Sequence, residues 1–388
     1  MKIAFVRGPH LNPWELQSYA PLARHHAFAT IGANWQFYKG TFDHNIPIQK
    51  ASVWGARLGR LHRGLFVYYN RTLSWTLGRS YGFYNLDSYV KDADILHSAE
   101  TFSTMTHQCL EIRRRHPCKV VVTVWENLPH MGETHPLRLA RKRKALKELD
   151  GFLAVTETSR RTLVQEGAPA ERTEVIPMAV DLAHFKPAPR DQALSARWGL
   201  KPDEKIVLFI GRWVAEKGVA EILHAIPKVL KQVSVAIRFC FVGSGPLEGL
   251  LQKARQDYPG RIELVPFVPY NQLPTLHNMA DVFILPSKPA PKWQEQFGYV
   301  LVESMACGKA IVTTRSGSIL DVVGDAAWLV NPGDASELAN SLIRLLHSAQ
   351  ERARLGEAAH LRAIERFDAE KIARRIEAFY QRVLKRSS

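Results

Sequence analysis

Cysteine is scarce in this sequence, and the cysteines that occur stand far apart. The 388 residues contain four of them, with no C-x-x-C pair and no metal-like spacing of His and Cys. This pattern argues against both a disulfide framework and a structural zinc site. We therefore expect free, buried thiols in a reducing compartment, and the cytoplasm is the predicted location. The four residues are Cys109, Cys118, Cys240 and Cys307.

Long apolar runs are absent as well. No eighteen apolar residues run together, so no segment is predicted to cross a bilayer. The first apolar run, residues 2–7, is too short for the apolar region of a signal peptide, and we expect none there. With 46% hydrophobic and 23% charged residues, the composition is typical of a folded globular protein. A disordered or collagen-like chain is thereby excluded.

Acidic residues are outnumbered by basic ones. The sequence has 52 Lys and Arg against 37 Asp and Glu, a formal charge of +15. The excess is spread along the chain, with 24 against 16 in residues 1–185 and 28 against 21 in residues 186–388. A basic tail for nucleic acid is therefore not predicted. The charge suits phosphate-bearing ligands or an anionic membrane surface, and a general nucleic-acid partner is not expected.

Short apolar runs alternate with helix-like stretches along the whole sequence. This rhythm predicts an α/β protein with parallel sheets. A proline-bearing stretch without periodicity, residues 177–190, marks a linker between two halves. We predict domains at 1–185 and 186–365, followed at 366–388 by an amphipathic helix that packs back on the first domain. Ligands of such sheets gather beyond the carboxyl ends of the strands, so we expect the site in those loops.

The strand predicted at 205–210 runs into a loop that carries Arg212 and Lys217 and then into a helix. A helix start offers N–H groups and a partial positive charge that suit a phosphate. The two cations are equally compatible with an ordinary solvated surface. After the next strand, Gly243 opens a G-x-G-x-x-x-G run whose spacing departs from the dinucleotide-binding fingerprint. We interpret this run as a close passage of the backbone past a ligand.

A third loop, residues 286–297, leads into a helix predicted at 298–308, with Gly308 as its C-terminal cap. The first turn of that helix would offer N–H groups to a phosphate, with Glu295 just before it and Glu303 inside the helix. Ionised carboxylates only accept hydrogen bonds, which matches the hydroxyl groups of a sugar and a ribose. The alternative is a solvated loop glutamate and a surface glutamate, which the spacing does not exclude.

Four strings of residues stand in a fixed order along the second half. They are Gly211-Arg212-x-x-x-Glu216-Lys217-Gly218, Val242-Gly-Ser-Gly-Pro246, Ala280-Asp-Val-Phe-Ile-Leu-Pro-Ser287 and Glu295-x-Phe297-Gly298-x-x-x-x-Glu303-Ser-Met-Ala-Cys-Gly308. Together they resemble the retaining GT-B glycosyltransferases of family 4. The resemblance covers nearly all of that half and implies a GT-B fold of two Rossmann-like domains facing a central cleft.

The resemblance implies that the second domain binds a nucleotide sugar and that a hexose is transferred with retention of anomeric configuration. Arg212 and Lys217 would hold the diphosphate and stabilise the leaving group, so we expect neither a metal nor a cofactor. Glu295 would bind the transferred sugar and Glu303 the ribose. The further donor-binding residues that it implies are Gly243, Phe297, Gly298, Tyr299 and Val300.

The first half resembles the family more weakly. Trp125, followed by Glu126, stands where many members have a histidine. His97, at a strand that matches the family, is a candidate catalytic residue, although a lone histidine there is more often structural. Asn12 and Glu15 are typical of a helix start, as N-cap and capping-box glutamate, and contact with the acceptor is their second interpretation. The acceptor-side candidates are thus Asn12, Glu15, Trp125 and Glu126.

Residues 44–86 contain no Asp or Glu, but six Lys or Arg and eight aromatic residues. Such a segment suits an anionic membrane surface, where each nearby cation contributes about 1 kcal/mol, and equally a solvated basic face beside an aromatic core. We predict a lipid-linked or envelope-glycan acceptor and peripheral attachment to the inner membrane face. The alternatives are a cytosolic metabolite, protein or tRNA acceptor, or a protein that binds or rearranges a nucleotide sugar without glycosyl transfer.

Overall fold

The polypeptide divides into two α/β units, Met1–Met178 with Ala369–Ser388, and Ala179–Asp368. The computed structural model describes residues 1–38, 46–131, 133, 135–266 and 268–386. The chain changes units at 178/179 and not at 185, the boundary that we placed from the prolines. Residues after this point pack with the second unit: the N–H of Val180 donates to Phe367 O at 2.7 Å, and Phe185 contacts the ring of Tyr270.

The first unit is built on a parallel sheet of seven strands among the described residues, in the order β3-β2-β1-β4-β5-β6-β7. Its central strands are rich in apolar residues and buried on both faces, as parallel sheets covered by helices require. The strands are β1 Lys2–Gly8, β2 Ala27–Ala33, β3 Ile48–Ala51, β4 Ile95–Ala99, β5 Lys119–Val124, β6 Gly151–Ala154 and β7 Thr173–Val175.

Several helices of this unit directly follow strands of the sheet, and polar side chains cap the starts of some of them. Ser103 and Thr156 each accept a hydrogen bond from the N–H three residues on, which satisfies an unpaired donor of the helix start. The helices are α1 Pro13–Leu16, α2 Ala56–Leu61, α3 Arg63–Leu77, α4 Asp87–Val90, α5 Thr104–Arg113, α6 Pro136–Glu148 and α7 Glu157–Gln165.

The second unit repeats this architecture with a parallel sheet of six described strands, in the order β10-β9-β8-β11-β12-β13. The order reverses at β8, which lies between β9 and β11, and such a reversal is where α/β sheets bind ligands. The strands are β8 Lys205–Ile210, β9 Ile237–Val242, β10 Ile262–Val265, β11 Val282–Leu285, β12 Ala310–Thr314 and β13 Trp328–Val330. The helices are α8 Gln192–Arg197, α9 Val219–Gln232, α10 Glu248–Asp257, α11 Leu273–Met279, α12 Tyr299–Ala306, α13 Ile319–Val323, α14 Ala335–His347 and α15 Ala349–Arg366.

The last helix, α16 (Ala369–Lys385), is part of the first unit. Its apolar side chains recur every three or four residues and are buried, as an amphipathic helix requires. Glu370, in the first turn of this helix, forms an ion pair with Arg24 at 2.7 Å. The buried residues include Ile372, Ile376, Phe379, Tyr380 and Val383.

Both units are Rossmann-like, which confirms the predicted α/β fold class. The four cysteines are free thiols, three of them buried and Cys118 partly so. Burial raises the pKa of the Cys118 thiol to about 11 and that of Cys307 to about 12, so these thiols are protonated near neutral pH. No helix in the described ranges combines the length and the apolar character needed to cross a membrane.

Candidate functional site

Two glycines bring the loops after β8, β9 and β11 together at the carboxyl edge of the second sheet. Gly218 has φ +76°, and a Cβ there would lie 2.1 Å from Pro286 O. Gly243 has φ +140°, and a Cβ would lie 2.0 Å from Gly211 O. A side chain at either position would meet backbone atoms in a conformation that other residues rarely adopt. The two glycines therefore allow the loops to touch through their backbones.

Lys217 and Glu295 meet in this loop cluster. Lys217 Nζ donates to Glu295 Oε2 at 2.7 Å, and Ser287 Oγ donates to the same oxygen at 2.7 Å. The two charged side chains retain only 14% and 7% exposure. Lys217 Nζ also lies 5.0 Å from the centre of the Trp293 ring, a cation–π distance. Two residues that are 78 positions apart are thus fixed as one ion pair with a defined geometry.

Arg212 follows β8 in the same loop as Lys217 but is held far less tightly. Its side chain is 62% exposed and reaches Glu216 at 3.5 Å. An exposed pair four residues apart contributes little to stability, so this contact restrains the guanidinium weakly. The loop therefore presents one fixed cation and one mobile cation.

Helix α12 begins one residue later than we predicted. Gly298 stands at its N-cap with φ +76°, while Tyr299 and Val300 form the partly buried first turn. Phe297 is buried, with its ring centre 5.2 Å from that of Tyr299. At the other end, Gly308 has φ +67° directly after the C-cap, which confirms it as the C-terminal glycine of this helix.

Glu303 lies inside α12 and is 2% exposed. Its Oε2 is 3.4 Å from His277 Nε2, and His277 is fully buried. This histidine did not emerge from the sequence as a site residue, because a single histidine before a strand carries no motif. The pair holds the Glu303 carboxylate in a set orientation.

In the first unit, Glu15 is bound to Arg7 at the end of β1. Arg7 Nε donates to Glu15 Oε2 at 2.7 Å, while Asn12 Oδ1 accepts from the Glu15 N–H at 2.9 Å. Asn12 is therefore the N-cap, as predicted. The expected capping-box role of Glu15 is wrong, because its carboxylate pairs with Arg7, a partly buried cation that the local motif did not include. Burial raises the pKa of Glu15, and the charge of Arg7 opposes this shift.

Trp125 and Glu126 lie at the end of β5 next to a carboxyl group that the sequence did not single out. The guanidinium of Arg7 lies 4.9 Å from the centre of the Trp125 ring. The N–H of Trp125 donates to Glu100 Oε1 at 2.9 Å. Glu126 is partly buried, its Oε1 accepts from the N–H groups of Asn127 and Leu128, and burial raises its pKa.

Glu100 directly follows β4 and has φ +59°, which is rare for a residue with a side chain. The residue is partly exposed, yet its Oε2 atom is buried and has no hydrogen-bond partner among the described residues. Burial and the nearby charge of Glu126 raise the pKa of Glu100 to about 8. A strained backbone and a perturbed carboxyl group together are typical of functional positions.

His97 does not fit the catalytic role that we considered for it. It is fully buried, with Nδ1 2.6 Å from Tyr380 Oη and Nε2 2.8 Å from Thr123 Oγ1. Burial, with a smaller effect of Arg7, lowers its pKa to about 3. A neutral imidazole with both nitrogens hydrogen-bonded inside the core has no access to a substrate, so the structural interpretation applies.

In the described part of the chain, one group of side chains has a spacing that suits a metal ion: His130, Glu133 and Glu166. Lys142 lies within this group and donates from Nζ to both carboxylates. The ammonium is the counter-charge of the two acids, so the group is a partly buried ion-pair network.

Two family models match the chain, one in each half. Residues 43–184 match Glycosyltransferase Family 4, and residues 191–362 match Glycosyl transferases group 1. The chain belongs to glycosyltransferase family 4. This confirms the family resemblance drawn from the four strings.

Curated relatives of this family 4 chain include three glycosyltransferases. A phosphatidylinositol N-acetylglucosaminyltransferase component from Arabidopsis thaliana is 26% identical over 304 residues, 76% of this chain and 63% of that protein. The 2-deoxystreptamine glucosyltransferase of Streptomyces kanamyceticus is 30% identical over 55% of each chain. D-inositol 3-phosphate glycosyltransferase of Mycobacterium bovis is 30% identical over 65% of this chain and 53% of that one. The chain thus spans between half and two thirds of the length of these relatives.

Solved structures share the fold of this family 4 chain over its whole length. HepE of Anabaena in complex with UDP superposes with a TM-score of 0.74 at 22% identity, covering 98% of this chain and 100% of that one. Sucrose-phosphate synthase from Thermosynechococcus elongatus gives a TM-score of 0.70 at 19% identity, with both chains fully covered. At this level of identity the likeness concerns the fold, and it confirms the predicted GT-B class.

Proposed function

We propose that this family 4 protein transfers a hexose from a nucleoside diphosphate sugar to an acceptor, with retention of anomeric configuration. The observation that carries the proposal is the 2.7 Å pair of Lys217 and Glu295, which joins a cation and a carboxylate beside the start of α12. The relatives named above are glycosyltransferases, and HepE has been solved with UDP and with UDP-glucose. These likenesses support the donor class.

The diphosphate is the leaving group in this proposal. Negative charge grows on it as its bond to the anomeric carbon breaks, and fixed cations aimed at that charge lower the barrier. Lys217 is fixed by Glu295, whereas the exposed Arg212 is able to swing onto the phosphates. The start of α12 adds oriented N–H groups. With two cations available, the proposed reaction needs no metal and no cofactor.

The two glutamates bind the sugar parts of the donor. Glu295 is oriented by Lys217 and Ser287, so hydroxyl groups of the hexose would donate to a carboxylate that is already in place. Glu303, oriented by His277, would accept from the ribose hydroxyls. The backbone at Gly243 approaches too closely to other loops for a side chain, which suits a surface lined by backbone atoms.

The acceptor side is assigned to the first unit, with Asn12, Glu15, Trp125 and Glu126 as candidates and Glu100 added to them. In the proposed step, the acceptor oxygen bonds to the anomeric carbon on the face that the diphosphate leaves. The acceptor proton passes to the departing phosphate. A base is therefore not required from His97. A lipid-linked or envelope-glycan acceptor is favoured, because the name of one relative includes the lipid phosphatidylinositol.

A second candidate function is binding or rearrangement of a nucleotide sugar without glycosyl transfer. The observation that favours it is Trp125, which stands where many family members have a histidine and is stacked by Arg7. A small metabolite, a protein or tRNA also remains as an alternative acceptor.

A donor panel tests the proposal. The purified protein is incubated with UDP-glucose, UDP-N-acetylglucosamine, GDP-mannose and ADP-glucose, with and without EDTA, and mass spectrometry follows nucleoside diphosphate release and glycosylated products. We expect the protein to turn over one of these donors even when EDTA is present. Glu295→Gln should remove most of that turnover. Lys253→Ala is the matched control, because Lys253 forms an exposed pair in the same unit. Tight nucleotide binding without turnover of any donor would favour the second candidate.

A further inference from the structure

Helix α3 carries apolar side chains on two sides. Phe66 and Asn70 are buried, and Leu73 is partly buried, on the side that packs on the first unit. At 100° per residue, Tyr68 and Trp75 lie about 170° around the helix from the mean direction of these three, and Leu65 lies about 105° from it. Those side chains are 46%, 72% and 78% exposed. We name Leu65, Tyr68 and Trp75 the outer stripe.

Further apolar side chains are exposed near the two ends of α3. Leu61, at the end of α2, is 77% exposed, and Leu77, at the end of α3, is 50% exposed. Arg141 donates to Leu77 O at 2.6 Å, which ties the end of α3 to the start of α6. Leu137 in that start is 53% exposed. Exposed apolar side chains collected in one region mark an interaction surface, whereas single ones carry no meaning.

Basic side chains are frequent around this surface. The segment 44–86 has no Asp or Glu, and the arginines of α2, α3 and the following turn are exposed. Arg141 shows how crowded the cations are, since burial together with the charges of Arg79 and Arg138 lowers its pKa. The exposed arginines are Arg57, Arg60, Arg63, Arg71 and Arg79.

We propose that the outer stripe docks this protein on a bilayer that contains anionic phospholipid. The 15-residue helix is too short to span the hydrocarbon, so it lies in the plane of the interface, with Leu65 and Trp75 entering the boundary between headgroups and acyl chains. The flanking arginines meet the phosphates through their long side chains. Docking would bring the unit assigned to the acceptor to the membrane, a consequence that rests on the proposed function.

A nucleic acid explains this surface less well. It would satisfy the arginines, and aromatic rings would stack on its bases, but exposed leucines would gain no apolar partner. A short helix that combines leucines, aromatic residues and arginines has the composition typical of helices that lie at a membrane interface.

The test is cosedimentation of the full chain with vesicles, without donor or acceptor, so that it is independent of the transferase proposal. Vesicles of phosphatidylcholine alone are compared with vesicles that also contain phosphatidylglycerol, over a series of salt concentrations. We expect binding only to the anionic vesicles, weakening as salt rises. The double variant Leu65→Ser/Trp75→Ser should lower the partition coefficient about tenfold or more, and Arg60→Glu/Arg71→Glu should abolish binding at low salt.

Exposed positions in the second unit provide the controls. Leu361→Ser is matched to the stripe variant, since Leu361 is 58% exposed, and Arg255→Glu/Arg354→Glu is matched to the charge variant. All variants should keep the wild-type thermal unfolding curve, because the side chains are exposed. The proposal is overturned if the wild type stays in the supernatant with anionic vesicles at low salt, or if stripe and control variants bind alike. Binding to tRNA but not to vesicles also overturns it.

Discussion

Replacing Lys217 with Met tests whether its pair with Glu295 serves the donor or only the fold. The pair is made at 2.7 Å between side chains that are 14% and 7% exposed. Removal of one partner leaves a buried charge without its counter-charge, which typically costs about 3–5 kcal/mol. Ser287 still donates to Glu295, so we expect the lower part of that range. Urea unfolding measures the change in the free energy of unfolding.

The same substitution should reduce transfer for a separate reason. A charge-assisted hydrogen bond to the diphosphate is worth about 1.5–3 kcal/mol, which corresponds to about a 10- to 150-fold loss of kcat/KM. The double variant Lys217→Met/Glu295→Gln removes both charges and should recover most of the stability but none of the activity. Comparison of the single and double variants would then distinguish the effect of Lys217 on the free energy of unfolding from its effect on turnover.

Two results would refute this reasoning. If Lys217→Met unfolds like the wild type, the pair is not the buried contact that its geometry describes. If the double variant regains turnover along with stability, the cation acts through folding alone and does not touch the donor. Lys253→Ala, at an exposed pair, should change neither quantity.

Three further predictions concern single positions. Glu100 has a folded pKa of about 8 against an ordinary value of 4.5, so its contribution to stability is complete below pH 4.5 and is lost as the pH rises through 8. The difference in unfolding free energy between wild type and Glu100→Gln should therefore shift across this window, and parallel pH curves would contradict it. His97→Ala should lower the free energy of unfolding by about 2–4 kcal/mol in urea melts, because the ring is buried and both of its nitrogens are hydrogen-bonded. The turnover per folded molecule should stay unchanged. A loss of turnover in folded protein would instead indicate a catalytic role. Gly218→Ala should lower the free energy of unfolding by more than about 1 kcal/mol and weaken donor binding measured by calorimetry, because the new Cβ would clash with Pro286 O. Gly260→Ala is the control, since Gly260 has a similar φ but open space around it. Equal effects of the two substitutions would exclude the clash as the cause.

Local features of both units were predictable from the sequence because each depends on a few neighbouring residues. The alternation of apolar runs and helices predicted parallel sheets in both halves. Gly308 ends α12 since a helix commonly stops at a residue in the left-handed region, and Asn12 caps α1 since its side chain reaches an N–H three residues on. The order of the four strings sufficed to predict the family.

Tertiary structure decided whatever depends on residues far apart in the chain. The role of His97 follows from Tyr380, 283 positions away, which no local pattern connects to it. Glu15 does not form the capping box because its carboxylate pairs with Arg7 instead.

The acceptor-side cluster shows the same limit. Arg7, Glu100 and Trp125 come from the ends of three different strands, and only strand order brings them to one edge. The sequence by itself determined the family, the two parallel sheets and the donor loops, since these rest on local periodicity and contiguous motifs. Which charged groups are buried, paired or exposed was decided only by the packing of distant elements, because desolvation and pairing depend on neighbours in space.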